Sequence, residues 1–180
     1  MMDFSFLICS ERAGSNLITK MLNAHPEICG PSPSHCMEVF TGNAFRYGDL
    51  KKDKNWDIFV TDLVEYMEAS QSIWKSKPTA DMVKENVQKG SFNGAIRYVH
   101  ECEADAHGKK HLFLKNNHCY NYMEYIINYY PDSKFVYLVR DPRDMAYEWR
   151  MAGPLRGGIE TGVGVLDEEE SKGIRICGSL

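Results

Sequence analysis

Residues 4–18 read Phe4-Ser5-Phe6-Leu7-Ile8-Cys9-Ser10-Glu11-Arg12-Ala13-Gly14-Ser15-Asn16-Leu17-Ile18. Phe4 to Cys9 is a short apolar run, the pattern of a strand buried on both faces as in a parallel sheet. A polar turn interrupts it, and Leu17, Ile18, Met21 and Leu22 then recur with the spacing of one helix face. His25-Pro26 closes that helix. A buried strand emptying through a tight turn into a helix is the unit from which parallel α/β sheets are wound. The helix N-terminus offers free backbone N–H groups and a positive dipole end to whatever lies above it, which suits phosphate or sulfate. Gly14 permits close backbone approach, Ser15 and Asn16 add donors, and Arg12 adds a fixed charge in fork geometry.

The pattern returns downstream. His111 to Lys115 is a second strand candidate with a polar end, followed by a helix from about Cys119 to Tyr130 with Tyr120, Met123, Ile127 and Tyr130 inward and Pro131 as its stop. Phe135-Val136-Tyr137-Leu138-Val139 is β-branched and aromatic throughout and ends in Arg140. Asp141-Pro142 then supplies an N-cap and a proline at the first helical position, for a helix to about Met151. Ligands of open α/β sheets sit beyond the carboxyl ends of the strands, where Arg140 lands. The fold class is therefore α/β, a three-layer parallel sheet flanked by helices. Between these units, residues 28–34 read as a Gly/Pro loop and Cys36 to Phe40 as either a strand or a helix start. Gly42 to Asn55 is loop-like, and Asp57 to Ala69 and Thr79 to Lys89 are amphipathic helices. Residues 1–158 form one domain; 159–180 form a Gly-rich tail with the acidic run Asp167 to Glu170, expected to pack poorly.

Composition narrows the function classes. A chain of 180 residues buries roughly 70% of its unfolded surface, enough core to fold without disulfide or metal staples. With 21 Lys+Arg against 25 Asp+Glu, a net charge of −4 and no sustained basic run, sequence-independent nucleic-acid binding is not expected. No apolar stretch approaches the roughly 20 residues of a membrane span, and the N-terminus lacks a basic signal region. The six cysteines are scattered, so free thiols and a cytoplasmic setting are expected. Cys102, His107, His111 and Cys119 match no common zinc spacing, so no metal is expected.

The first turn has one glycine and no Lys before its Ser, which disfavours a nucleoside triphosphatase loop and a dinucleotide fingerprint alike. Arg12-Ala13-Gly14-Ser15 instead resembles the phosphosulfate loop of the sulfotransferases that use 3′-phosphoadenosine 5′-phosphosulfate (PAPS). Val139-Arg140-Asp141-Pro142-Arg143-Asp144 resembles the same family's 3′-phosphate motif, and His25-Pro26 and Lys115 with His118 are further matches. The resemblance covers about residues 4–158 and implies a P-loop-like sulfotransferase fold. It implies sulfuryl transfer from PAPS, with no metal, to an acceptor hydroxyl or amine on a small molecule or glycan. Arg12, Ala13, Gly14, Ser15 and Asn16 would hold the phosphosulfate and Arg140 the 3′-phosphate.

Two departures qualify it. The family's Ser eight positions after the motif Arg is Glu148 here, a carboxylate beside a phosphate. Family chains also continue further, whereas this one ends at Leu180. Weak bisphosphate binding, relieved by Glu148→Ser, and dependence of sulfation on a longer form, a homo-oligomer or a partner chain are therefore expected. Arg12 would stabilise the departing nucleotide, and His35 or His118 would take the acceptor proton, with Glu38 next in line. The alternative is a truncated or degenerate sulfotransferase fold that binds a nucleotide or a protein without turnover. Phe45, Tyr47, Trp56, Trp74 and Phe92, in the segment from Gly42 to Cys102, are candidates for an acceptor wall, although most suit a core.

Overall fold

The apolar run at the N-terminus becomes β1 (Asp3–Cys9), an inner strand of a four-stranded parallel sheet. The strand order is β2-β3-β1-β4, with β2 at Ile28–Cys29, β3 at His111–Lys115 and β4 at Lys134–Leu138. This computed structural model describes residues 2–70, 74–116 and 118–151. The tail expected at 159–180 lies outside the described residues. The α-helices among the described residues are α1 (Ser15–Asn23), α2 (Cys36–Asn43), α3 (Asp53–Ser70), α4 (Ala80–Asn86), α5 (Phe92–Ala106), α6 (Met123–Tyr129) and α7 (Pro142–Met151). None of them is long and apolar enough to cross a membrane.

Strand alternation sorts the core into two layers. Phe4, Phe6 and Ile8 of β1 and Leu112 and Leu114 of β3 face the larger one, with Phe40 of α2, Phe59 and Leu63 of α3, Ile96 and Val99 of α5 and Ile126 of α6. Leu7, Cys9 and Phe113 point the other way, against Ala13 and the Ile18 and Leu22 side chains of α1. Register aligns Leu7 with Lys115 and Cys9 with Leu138, so the polar ends of three strands emerge along one edge.

Several elements differ from the sequence pattern. Only half of the α1 apolar face is covered, since Leu17 and Met21 are 65% and 66% exposed. The smaller layer is one helix wide and reaches only Ile18 and Leu22. The inward face of α6 and the 3₁₀ turn before it is Tyr122, Ile126 and Tyr130 with Met123 packed against the same core, while Tyr120 is half-buried and Ile127 is exposed. Residues 28–29, read as loop, pair with β3. Cys36 begins a helix, and the loop expected over Gly42 to Asn55 holds a 3₁₀ turn, Ala44–Tyr47, and the start of α3. Helix α5 had no sequence expectation. β4 is apolar but lies at the sheet edge, which leaves Tyr137 and Val139 70% and 71% exposed. Trp56 and Trp74 are core, Tyr47 and Phe92 pack against it, and Phe45 is exposed. Cys29, Cys36, Cys102 and Cys119 are thiols.

Packing of β2 against α1 depends on Gly30, whose N–H donates to Asn23 Oδ1 at 2.9 Å. A Cβ there would lie 3.0 Å from the Thr19 carbonyl oxygen and 3.1 Å from Thr19 Cγ2. Gly30→Ala is expected to lower unfolding free energy by about 1–3 kcal/mol, because backbone must move to admit the methyl group. Urea titration of the two proteins measures the difference.

His100 of α5 is fully enclosed. Its Nδ1 lies 2.8 Å from the Ile96 carbonyl oxygen, its Nε2 lies 3.2 Å from Ser34 Oγ, and Trp74 meets the ring edge-on. Burial penalises the imidazolium and lowers the pKa from 6.5 to about 4, against a smaller opposing effect of the Ile96 carbonyl. As pH falls below 6.5 the unfolded chain therefore takes up this proton first. The stability that His100 contributes is complete above that value and is lost as pH falls to about 4. The expected loss is about 3 kcal/mol. Urea midpoints at pH 7 and pH 4.5 should converge in His100→Gln relative to wild type; an unchanged acid sensitivity would refute the assignment.

Candidate active site

The β1–α1 turn is the first wall of the site. Ala13 N–H reaches the Ser10 carbonyl at 3.4 Å, and the Leu17 and Ile18 N–H groups reach the Gly14 carbonyl at 3.0 and 3.2 Å. Gly14 stands at φ +98° as N-cap, and no side chain caps the helix, which leaves the Ser15 and Asn16 N–H groups for a ligand. Arg12 has φ +64°, a conformation that is strained for a non-glycine residue and concentrates at functional loops. Among the described residues it shares this only with His35, at φ +56°. Ala13 is buried beneath the turn in the smaller core layer, so it supports the loop instead of lining the cavity.

The neighbouring strands supply the rest. Lys115, at the end of β3, donates from Nζ to Asn16 Oδ1 at 3.2 Å. Burial pulls its pKa down, with Cys9 and Glu11 opposing. Arg140, just beyond β4, donates from Nη1 to the Arg12 carbonyl at 2.9 Å and so braces the strained turn. Its Nη2 lies 3.6 Å from Glu148 Oε1 and its Nε 3.9 Å from Asp144 Oδ2. Arg143 is turned away onto Asp141, with contacts of 3.0 and 2.6 Å, and the Asp141 side chain also accepts its backbone N–H at 2.9 Å. Those bonds hold the Asp141 pKa at about 2. Helix α7 further places Trp149 beside the Arg12 guanidinium, 5.5 Å from the ring centroid.

An open cavity of about 450 Å³ lies between the turn and these strand ends. Glu11, Arg12, Gly14, Ser15 and Asn16 come from the turn and the start of α1, Lys115 from β3, Arg140 from just beyond β4 and Glu148 from α7. Three cations face two carboxylates. Of the sequence-derived binding residues, all but Ala13 line this space. The sequence offers Lys115 only as a motif match and assigns no role to Glu11 or Trp149. The Arg in the turn is a signal for a stacked aromatic, but sequence separation hides which one.

The two candidate bases differ in position. His118 does not line the cavity itself, but its Nε2 lies 3.9 Å from Oε1 of Glu11, which does, and its Nδ1 lies 3.1 Å from Tyr120 Oη. His35 precedes α2 with Nδ1 3.5 Å from Glu38 Oε2, and neither residue lines the cavity. Among the described residues no three His, Cys, Asp or Glu side chains come together in a metal-binding group.

A family model described as Sulfotransferase family matches residues 5–157. Among solved structures, the chain is similar to the sulfotransferase domain from the Synechococcus PCC 7002 olefin synthase. The identity is 20% over 84% of this chain and 53% of that one, with a TM-score of 0.45. The chain thus spans about half the length of that domain. No curated protein matches it.

Proposed function

Because the chain belongs to the sulfotransferase family, we propose that it transfers a sulfuryl group from an adenylyl phosphosulfate to an acceptor hydroxyl or amine. PAPS is the donor that the resemblance implies, and the proposed acceptor is a small molecule or glycan. The observation that carries the reading is the single cavity in which Arg12, Lys115, Arg140 and an uncapped helix N-terminus converge beyond the strand ends.

The chemistry follows from charge placement. The bond from sulfur to the bridging oxygen of the phosphosulfate breaks, a bond from sulfur to the acceptor oxygen or nitrogen forms, and the acceptor proton leaves to a base. Negative charge grows on the departing 5′-phosphate, where Arg12, Lys115 and the N–H groups of Ser15 and Asn16 are placed to meet it. His118, with Glu11 beside it, is the base that this geometry favours. The test is incubation with PAPS and a panel of sugars, phenols and amines, read by mass spectrometry for sulfated product. Thermal shift with adenosine 3′,5′-bisphosphate, AMP and ATP accompanies it, since a ligand at 100 times its Kd adds about 2.7 kcal/mol of stability. Sulfated product is expected; stabilisation by ATP alone without product would overturn the proposal.

A further inference from the structure

The two ends of the cavity carry different chemistry. At the turn, Arg12, Lys115 and the helix N-terminus present positive charge and donors. At the α7 end, the guanidinium of Arg140 is already engaged along its edges. Nη1 is on the Arg12 carbonyl at 2.9 Å, Nη2 faces Glu148 at 3.6 Å and Nε faces Asp144 at 3.9 Å. A phosphate entering here would meet a carboxylate first and would have to break an ion pair to reach the cation. A hydroxyl carries no charge to be repelled and donates to the Glu148 carboxylate with the ion pair left intact, as acidic residues bind ribose hydroxyls in dinucleotide sites.

We infer that the Arg140–Glu148 end of the cavity takes the free hydroxyls of a ribose, so that the preferred donor is a nucleoside 5′-phosphosulfate without a 3′-phosphate. This rests on the reading that the turn holds the 5′-phosphosulfate. The transfer step keeps its bond changes, with the 5′-nucleotide as leaving group in place of the bisphosphate. Glu148 is then the residue that decides which nucleotide enters.

The experiment is calorimetric titration of AMP and of adenosine 3′,5′-bisphosphate into wild type, Glu148→Gln and Glu148→Ser, with initial rates using adenosine 5′-phosphosulfate and PAPS as donors. Wild type is expected to bind AMP at least about 10-fold more tightly than the bisphosphate, given one like-charge contact with Glu148 in a partly exposed site. Both variants are expected to narrow or reverse that ratio, mainly by gaining bisphosphate affinity. A purely structural role for Glu148 would change both affinities together and leave the ratio alone. Tighter binding of the bisphosphate by wild type, or a ratio unmoved in both variants, overturns the inference while leaving the nucleotide reading intact. Binding of neither nucleotide by wild type overturns both.

Discussion

Replacing Arg12 by glycine is expected to lower kcat about 10²–10³-fold while leaving the protein as stable as before or more so. The loss is that of a fixed donor aimed at charge that develops on the leaving group. The gain comes from the backbone, since Arg12 holds φ +64° and a left-handed non-glycine residue stores roughly 1–3 kcal/mol that glycine releases. Opposite signs for rate and stability separate a chemical role from a structural one. Arg12→Lys should recover only part of the rate, because an ammonium lacks the fork and the stacking on Trp149. Turnover numbers and melting temperatures of the three proteins check this. Wild-type kcat in Arg12→Gly would assign the leaving group to Lys115 instead.

Removal of the base should be as severe. His118→Ala is expected to slow transfer about 10²–10⁴-fold, the usual contribution of a positioned proton acceptor, and added imidazole should restore part of it. His35→Ala should stay near wild type, because its partner Glu38 does not line the cavity, whereas the His118 partner Glu11 does. Steady-state rates for the two variants decide the matter. A dead His35→Ala beside an active His118→Ala would move the acceptor to the α2 side of the site.

The parts of this arrangement that could be read from the chain were those written in contiguous residues. The run from Phe4 into Gly14 and the passage from Phe135 through Arg140 to Pro142 each place an apolar strand, a turn and a helix start side by side. The binding residues of the turn and Arg140 follow from them. Helix α5 is not legible in the sequence because its inward face includes His100 and Glu103, which break the apolar stripe that marks a helix. Both are paid for by partners distant in sequence: Ser34 for His100, and the Lys75 and Ser76 N–H groups, at 3.1 and 2.7 Å, for Glu103. β2 is two residues long, too short to show a period. The contacts of Lys115 with Asn16 and of Arg12 with Trp149 depend on strand order and register, which periodicity does not contain.

The position of β1 also shapes how the chain comes into being. This strand is made well before its partners, which are residues 111–115 and 134–138. At ribosomal speeds of about 5–20 residues per second, Phe4 to Ile8 waits on the order of ten seconds before either neighbour exists. Its sequence is apolar, uncharged and rich in β-forming residues, the kind that pairs with copies of itself when left unpaired. A segment synthesised long before its partners is thus satisfied late, and the nascent chain depends on helices formed meanwhile, or on a holdase, to keep it covered.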